Sequence, residues 1–238
     1  MAKISIALLT HNEALPFRWL MQSLSPALSV LDEIVVVDDF SDPDCVETIR
    51  GFEDKVPLRF YQRALRKNFA KQRNYMKSLC RGELIFFLDP DELPSERLLM
   101  GLPKILEMME RLDIDACTLP RINILHDSDQ PVHPSELNLA DSTHKVLWED
   151  QIRILRNLPR LYWTMHLNEY LTGMRRCYRF PRLLDYALLH PKTVNSAAKQ
   201  RLFYKSIKMR HVSRVKNSIF KRVPWRRRIE WIAADVPI

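Results

Sequence analysis

The sequence predicts an α/β protein built on a doubly wound, mostly parallel sheet with flanking helices. Three observations carry this. Apolar runs rich in strand formers recur at residues 4–9, 34–37 and 84–88, and each is unbroken rather than alternating. A strand that reads as one continuous apolar run is covered on both faces, as in a parallel sheet with helices above and below. Segments of helical spacing lie between the runs, the alternation expected of βαβ units, and 238 residues are ample for one large domain with a core of its own.

Taken in order, residues 4–9 (ISIALL) form the first strand and end in Thr10-His11-Asn12-Glu13. A helix is expected over residues 14–24, with Phe17, Leu20, Met21 and Leu24 on one face. The second strand, 34–37 (IVVV), runs into Asp38-Asp39, followed by a helix over 45–52 and a third strand at 58–61. Residues 68–80 read as a helix with Ala70, Tyr75, Met76 and Leu79 apolar, and Gly82 is placed to cap its end. The LIFFL run at 84–88 is the strongest strand and leads directly into Asp89-Pro90-Asp91-Glu92. Ser95 can cap a short helix, and Pro103 starts another that ends near Leu112. Residues 116–119 read as a further strand, 120–150 are mixed and polar without an assignment, and 152–155 and 162–163 read as short strands or strand edges. From 196 to about 215 an amphipathic helix is expected, with Leu202, Phe203, Ile207, Met209 and Val212 apolar and the other face basic.

The net charge of +8 conceals an asymmetry. Residues 186–229 hold 13 Lys and Arg and no acid, leaving 24 basic against 29 acidic residues elsewhere, or −5. The expected division is therefore an α/β domain over 1–185 and a basic helical extension over 186–238, suited to an anionic partner or surface. Only four glycines occur, Gly51, Gly82, Gly101 and Gly173, too far apart for a G-x-G-x-x-G or Walker A phosphate loop. The four cysteines, Cys45, Cys80, Cys117 and Cys177, form no C-x-x-C pair, so neither a zinc site nor a disulfide framework is expected. No run approaches the roughly 18 apolar residues of a membrane span. A cytoplasmic protein is the reading, with peripheral membrane contact, or a place in an infected host cell, left open.

In doubly wound sheets ligands bind at the carboxyl ends of the strands. Those ends are Thr10-His11-Asn12-Glu13, Asp38-Asp39 and Asp89-Pro90-Asp91, so three polar, mostly acidic clusters converge on one edge. Carboxylates gathered in this way repel unless a cation joins them. All-oxygen ligation without Cys selects Mg²⁺ or Mn²⁺, ions that bridge one or two carboxylates to substrate phosphates. The D-x-D spacing past a buried strand puts Asp89 and Asp91 on one side of an extended segment, where an ion would act as Lewis acid on a leaving diphosphate. Asp42 and Asp44 are read instead as turn and cap residues.

The segments ISIALLTHNEA, DEIVVVDDFSD and NFAKQRNYMKSLCRGELIFFLDPDE, with a later RILRN–W–NE stretch, resemble family 2 glycosyltransferases of the GT-A, Rossmann-like fold. The likeness is to the short, soluble kind that includes lipopolysaccharide core sugar transferases and phage glycosyltransferases. It is strong over 3–100 and weaker over 146–210. The resemblance implies a nucleotide-sugar donor, with a UDP-sugar placed first, and Mn²⁺ or Mg²⁺ as cofactor. It implies Thr10, Asn12 and Glu13 as nucleotide contacts, Asp38 or Asp39 as the acid that accepts from the base, and Arg73 and Asn74 beside the donor. It implies Asp89 and Asp91 as the D-x-D acids, Asp91 being the direct metal ligand, and Arg153 and Arg156 as the arginines bordering the diphosphate. Relatives carry His-Glu after a Trp, whereas here Trp163 is followed by Asn168 and Glu169; Glu169 is the first candidate for the catalytic base and Asp150 the second. His190 matches a late His that reaches the metal or diphosphate, with His166 as its alternative. The family is generally inverting.

The acceptor has two readings. One is a cell-envelope oligosaccharide, the basic tail docking on anionic lipid or phosphate through Lys221, Arg222, Arg226, Arg227 and Arg228 with Phe220, Trp225 and Trp231 between them. The other is a hydroxymethylated pyrimidine base in DNA, held by the same cations. The envelope reading is placed ahead. A non-catalytic nucleic-acid-binding protein on this fold is a third reading, opposed by the intact D-x-D.

Overall fold

The computed structural model describes residues 3–137, 145–212 and 229–232. The apolar runs supply the centre of the sheet. β1 (Ile4–Thr10) lies between β2 (Glu33–Asp38) and β4 (Leu84–Leu88), all parallel, with Ile6 opposite Ile34 on one side and Phe86 on the other. β2 and β4 are buried along their whole length, which is why their sequences do not alternate. β3 (Leu58–Gln62) pairs parallel to β2 at the edge and is mostly half-buried. Ile4, Ile6 and Leu8 face one apolar layer, while Ala7, with Val35, Val37, Ile85 and Phe87, faces the other.

The crossover helices fall close to where their periodicity places them. α1 (Ala14–Leu24) buries Phe17, Leu20, Met21 and Leu24. α2 (Pro43–Arg50) follows Asp42, and α3 (Phe69–Leu79) is capped by Asn68, whose Oδ1 accepts from Lys71 N at 3.0 Å. After the two-residue β5 (Leu93–Pro94), Ser95 caps α4 (Glu96–Met100), and α5 (Leu102–Arg111) buries Leu102, Ile105, Leu106, Met108 and Met109. Gly82 does not cap α3, which ends three residues earlier. Its role is close approach: a Cβ there would lie 2.6 Å from Ser5 Oγ and 2.7 Å from Ser5 N. Gly82 N instead donates to Ser5 Oγ at 2.8 Å.

The unassigned stretch 120–150 belongs largely to two long strands. β6 (Ala116–His126) and β7 (Lys145–Arg156) pair antiparallel, and β7 also pairs antiparallel with β4. β7 is thus the inverted strand of an otherwise parallel centre. Pro120 hides β6 from a sequence reading, since a proline inside a central strand removes a ladder donor. It is tolerated because it falls in a gap: on that side β6 pairs with β10 (Arg176–Arg179) through Thr118 and with β11 (Leu188–Thr193) only from Arg121 onward. A small second sheet is formed by β8 (Tyr162–Thr164) and β9 (Tyr170–Thr172). The segment expected to be a helical extension from 186 contains α6 (Val194–Val212), but it begins with β11, which pairs β6 and β5, and returns at β12 (Glu230–Ile232) beside β10. Strand order along the main sheet is β12-β10-β6-β7-β4-β1-β2-β3. Among the described residues no helix is long and apolar enough to cross a membrane.

One buried acid ties three elements together. Glu33 accepts from Ser5 Oγ at 2.7 Å, Arg81 N at 2.5 Å and Arg59 Nη1 at 2.5 Å. Burial pushes its carboxyl up, but the Arg81 amide, Ser5 and the Arg59 guanidinium outweigh it and hold Glu33 below the usual range. A depressed carboxyl stabilises the fold above the unfolded pKa of about 4.3 and loses that contribution as pH falls through the folded value. Glu33→Gln is therefore expected to cost about 1.5–3 kcal/mol at pH 7. In urea unfolding at a series of pH values, the gap between variant and native protein closes below about pH 4.

Candidate active site

The carboxyl ends of β1, β2 and β4 lie side by side, and β11 brings His190 to them from the other end of the chain. His190 Nε2 stands 3.0 Å from Asp91 Oδ2, and His190 Nδ1 lies 2.6 Å from Asn123 Oδ1. The Asn123 amide is oriented by Glu149, which accepts from its Nδ2 at 3.0 Å. Nδ1 of His190 is thus turned to the Asn123 amide oxygen, and Nε2 faces the Asp91 carboxylate. A ring nitrogen and a carboxylate oxygen 3.0 Å apart are joined by a proton or by a cation. Burial works against the ionised Asp91, but the charge and hydrogen bond of His190, with Lys192 behind, hold it below the usual carboxylate range. Glu13 is driven the other way: burial first, then the charges of Asp91 and Asp89, raise it well above its ordinary value.

One carboxylate and one imidazole would suit Mn²⁺ better than Mg²⁺, which prefers oxygen ligands throughout, with substrate phosphate oxygens and water completing the shell. It is a two-ligand set. Among the described residues no three His, Cys, Asp or Glu side chains stand together to hold an ion. Asp89, expected as a metal ligand beside Asp91 and His190, is committed elsewhere: Arg153 Nη2 donates to its Oδ2 at 2.7 Å and Arg73 Nη2 to its Oδ1 at 3.4 Å. Burial would raise the Asp89 carboxyl, yet Arg153, Arg73 and Arg121 hold it far below the usual range.

Asp89 is the middle of a continuous chain of charges. Arg73 Nε donates to Glu169 Oε1 at 3.1 Å. Arg153 also binds Glu92, which is fully buried; Arg121 reaches Glu92 Oε1 at 2.8 Å and Glu149 Oε1 through Nε at 2.7 Å. The chain closes through Asn123 on His190 and Asp91. The sequence does not mark Glu92, Arg121, Glu149 and Asn123 as members of the site. Glu92 stood next to the D-x-D, but its partners sit 29 and 61 residues away.

Between this network and β8 lies a cavity of about 200 Å³ lined by Arg73, Asp150, Gln151, Ile152, Arg153, Trp163 and Glu169. Both candidate bases face it. Asp150 is held at the rim by Arg182, at 3.2 and 3.4 Å, while Glu169 has Arg73 as its cation. Trp163 forms the wall: its ring packs edge-on to Phe87 at 5.7 Å, and the Arg73 guanidinium lies 5.5 Å from its centre.

On the other flank, Thr10 is buried at the end of β1, opposite Asp38 in register. Asp38 is used by the turn that follows it, its Oδ2 accepting from Ser41 N at 2.9 Å and Gln62 Nε2 at 3.1 Å. Asp39 is half-buried, with Oδ1 accepting from Leu65 N at 2.7 Å. Asn12, at φ 56°, locks the same turn: its Oδ1 accepts from Asp42 N at 2.7 Å.

Two expected donor contacts are placed elsewhere. Asn74 spends both ends of its amide on the main chain of Trp163, at 2.7 and 2.8 Å, pinning β8 to α3. Arg156 stands at the opposite end of the sheet, in register with Leu84 at the start of β4 and 3.5 Å from Asp113. β7 runs against β4, so moving three residues along it from Arg153 leads about 10 Å away from the site. Arg156→Ala is accordingly expected to leave stability within about 0.5 kcal/mol. Arg153→Ala, which strips a buried cation from Asp89 and Glu92, costs about 3–5 kcal/mol in chemical unfolding. Lys221, Arg222, Arg226, Arg227 and Arg228 lie outside the described residues.

The model of glycosyl transferase family 2 matches residues 5–179, and the chain belongs to that family. Its GT-A architecture agrees with the mostly parallel sheet and flanking helices described above. Among solved structures, S. aureus TarS 1–349 in complex with UDP is similar at 16% identity and TM-score 0.47, over 94% of this chain and 74% of that one. The same protein with UDP-GlcNAc gives 17% and 0.47, over 81% and 58%. The mannosyltransferase PcManGT from Pyrobaculum calidifontis, in complex with GDP-Man and Mn²⁺, gives 18% and 0.41, over 54% and 36%. Two further TarS structures are matched over only 47% and 23% of their own length. No curated protein matches the sequence.

Proposed function

We propose that this protein transfers a sugar from a nucleotide-sugar, a UDP-sugar first among the donors, to a hydroxyl of a cell-envelope oligosaccharide, with inversion and with Mn²⁺ or Mg²⁺ as cofactor. The observation that carries the reading is the charge chain that joins the Asp91–His190 pair to Glu169 across Asp89 and Arg73. A displacement at a sugar carbon needs an electrophilic end for the leaving group and a basic end for the nucleophile, a fixed distance apart. Asp91 and His190 would hold the ion, which when bound supplies Lewis acidity to the departing diphosphate.

Glu169 takes the proton of the acceptor hydroxyl as its oxygen forms the new bond to the anomeric carbon. The bond from that carbon to the diphosphate oxygen breaks, and its electron pair leaves with the diphosphate. No enzyme-bound sugar is formed. Arg73 fixes Glu169 relative to Asp89, and the turn built by Asn12, Asp38 and Ser41 shapes the floor for the nucleotide, with Asp39 as the acid for its base. A cytoplasmic location accompanies this reading.

The acid-free run of 13 basic residues over 186–229 supports a second reading, a hydroxymethylated pyrimidine in DNA as acceptor. One experiment separates the two. The donor that most raises the melting temperature with Mn²⁺ is offered, in parallel, deacylated envelope oligosaccharide and duplex DNA containing 5-hydroxymethylcytosine, with mass spectrometry of both. A hexose added to the oligosaccharide alone is the expected result; addition to the DNA alone establishes the second reading.

A further inference from the structure

α6 begins directly after β11 and lies against the site with one stripe. Ala197, Gln200, Tyr204 and Ile207 are half-buried or buried, at helical spacing, while Lys199, Arg201, Leu202 and Lys205 face outward. The inward stripe is fastened at three points. Gln200 Oε1 accepts from Lys192 Nζ at 2.8 Å, Ser206 Oγ accepts from Lys67 Nζ at 3.0 Å, and the rings of Phe203 and Tyr204 stand edge-on to Phe69 at 6.4 and 6.2 Å. Phe69 is the first residue of α3, and Arg73 lies one turn further along the same face. Arg73 is the cation that joins Asp89 to Glu169. The Tyr204 ring thus packs on α3 one helical turn before the arginine of that ion pair. The electrostatics agree: burial first, then the charges of Asp89, Glu169 and Asp91, push the Tyr204 hydroxyl up to about 12. It stays a protonated donor at any working pH, within reach of the fields of both ends of the site.

We propose that Tyr204 is a substrate-contacting residue whose hydroxyl donates a hydrogen bond to the sugar ring of the donor, and that α6 is the roof of the donor cleft. The inference rests on the nucleotide-sugar reading above. In the displacement, the sugar lies between Glu169 and the diphosphate held at Asp91. Tyr204 packs on Phe69, one helical turn from the Arg73 that joins the two ends, which sets it toward the ring rather than the nucleotide. Gln200 keeps Lys192 beside Asp91 from the same helix face, leaving a cation next to the leaving group.

The test is calorimetric binding at saturating Mn²⁺ of whichever of UDP-glucose, UDP-N-acetylglucosamine, GDP-mannose and dTDP-glucose binds the native protein tightest, alongside its free nucleoside diphosphate. Tyr204→Phe keeps the ring against Phe69 and removes only the hydroxyl. The expected result is binding of the nucleotide-sugar weakened about three- to tenfold, with the free diphosphate bound as before and the melting temperature unchanged. Leu202→Ala, on the exposed outer face of the same helix, should show no such sugar-specific loss. Equal affinities for native protein and Tyr204→Phe would overturn the assignment, as would an equal loss for sugar nucleotide and diphosphate, or a sugar-specific loss of the same size in Leu202→Ala. If no nucleotide-sugar binds the native protein, the proposed function falls and this inference with it; the two failures are thus distinct.

Discussion

Asp91→Asn is expected to abolish the dependence of donor binding on a divalent ion and to lower transfer by about 10³-fold. The magnitude follows from Lewis acidity, worth several kcal/mol at a leaving diphosphate, with each 1.36 kcal/mol a factor of ten. The replacement is isosteric and its site is a turn after β4 rather than the core, so the melting temperature should move little. His190 would retain its bond to Asn123, but a neutral amide no longer supplies the charge that draws the ion. Transfer assays with and without EDTA, on native and variant protein, check this. Activity in Asp91→Asn that still falls on chelation would move the metal to other residues.

Glu169→Gln is expected to lower kcat by 10²–10⁴-fold, the range of a lost general base, while the donor KM changes little. Glu169 is held by one guanidinium, which orients it into the cavity, and its side chain is mostly buried. Asp150, across the same cavity, is paired to Arg182 and stands 3.8 Å from Arg179. Asp150→Asn should therefore cost less than tenfold. The reverse pattern, a large loss at Asp150 and a small one at Glu169, would transfer the role of base to Asp150. Steady-state kinetics on both variants decides it, and free donor binding without acceptor should be the same in all three proteins.

These two residues also mark how far the sequence could be read. β1, β2 and β4 were legible because strands buried on both faces must be apolar at every position, and that pattern survives without knowledge of neighbours. Their carboxyl ends followed from the geometry of parallel sheets, so the convergence of Glu13, Asp38 and Asp91 needed no coordinates. α3 is legible from its spacing, whereas Arg73 on it is marked only by the family resemblance. What escaped were features set by partners far along the chain. The direction of β7 is not written in the apolar residues 152–155, so Arg153 and Arg156 looked equivalent, though the antiparallel register puts one in the site and the other beside Asp113.

Glu92 and Arg121 escaped for a related reason. A buried ion pair is visible in sequence only as two separate charges, and here each sits in a strand or turn whose partner is supplied by another. Pro120 concealed β6, because the gap between β10 and β11 that makes room for it exists only in three dimensions. Gly82 has the place of a helix cap in the sequence, whereas its cause is the passing backbone of β1. The acidic edge was thus legible as chemistry, while the arginines that restrain it were not. Removing a cation from such a network leaves its buried acids uncompensated, which is why Arg153 is expected to matter more for folding than a surface arginine.

The central claim is that one edge of this sheet binds a nucleotide-sugar through a divalent ion held by Asp91 and His190. The direct measurement is titration calorimetry of the donor into native protein, first with Mn²⁺ and then with EDTA, repeated on Asp91→Asn. Binding that requires Mn²⁺ in the native protein and is lost in the variant is the predicted result. Equally tight binding in EDTA, or in Asp91→Asn, would contradict the account.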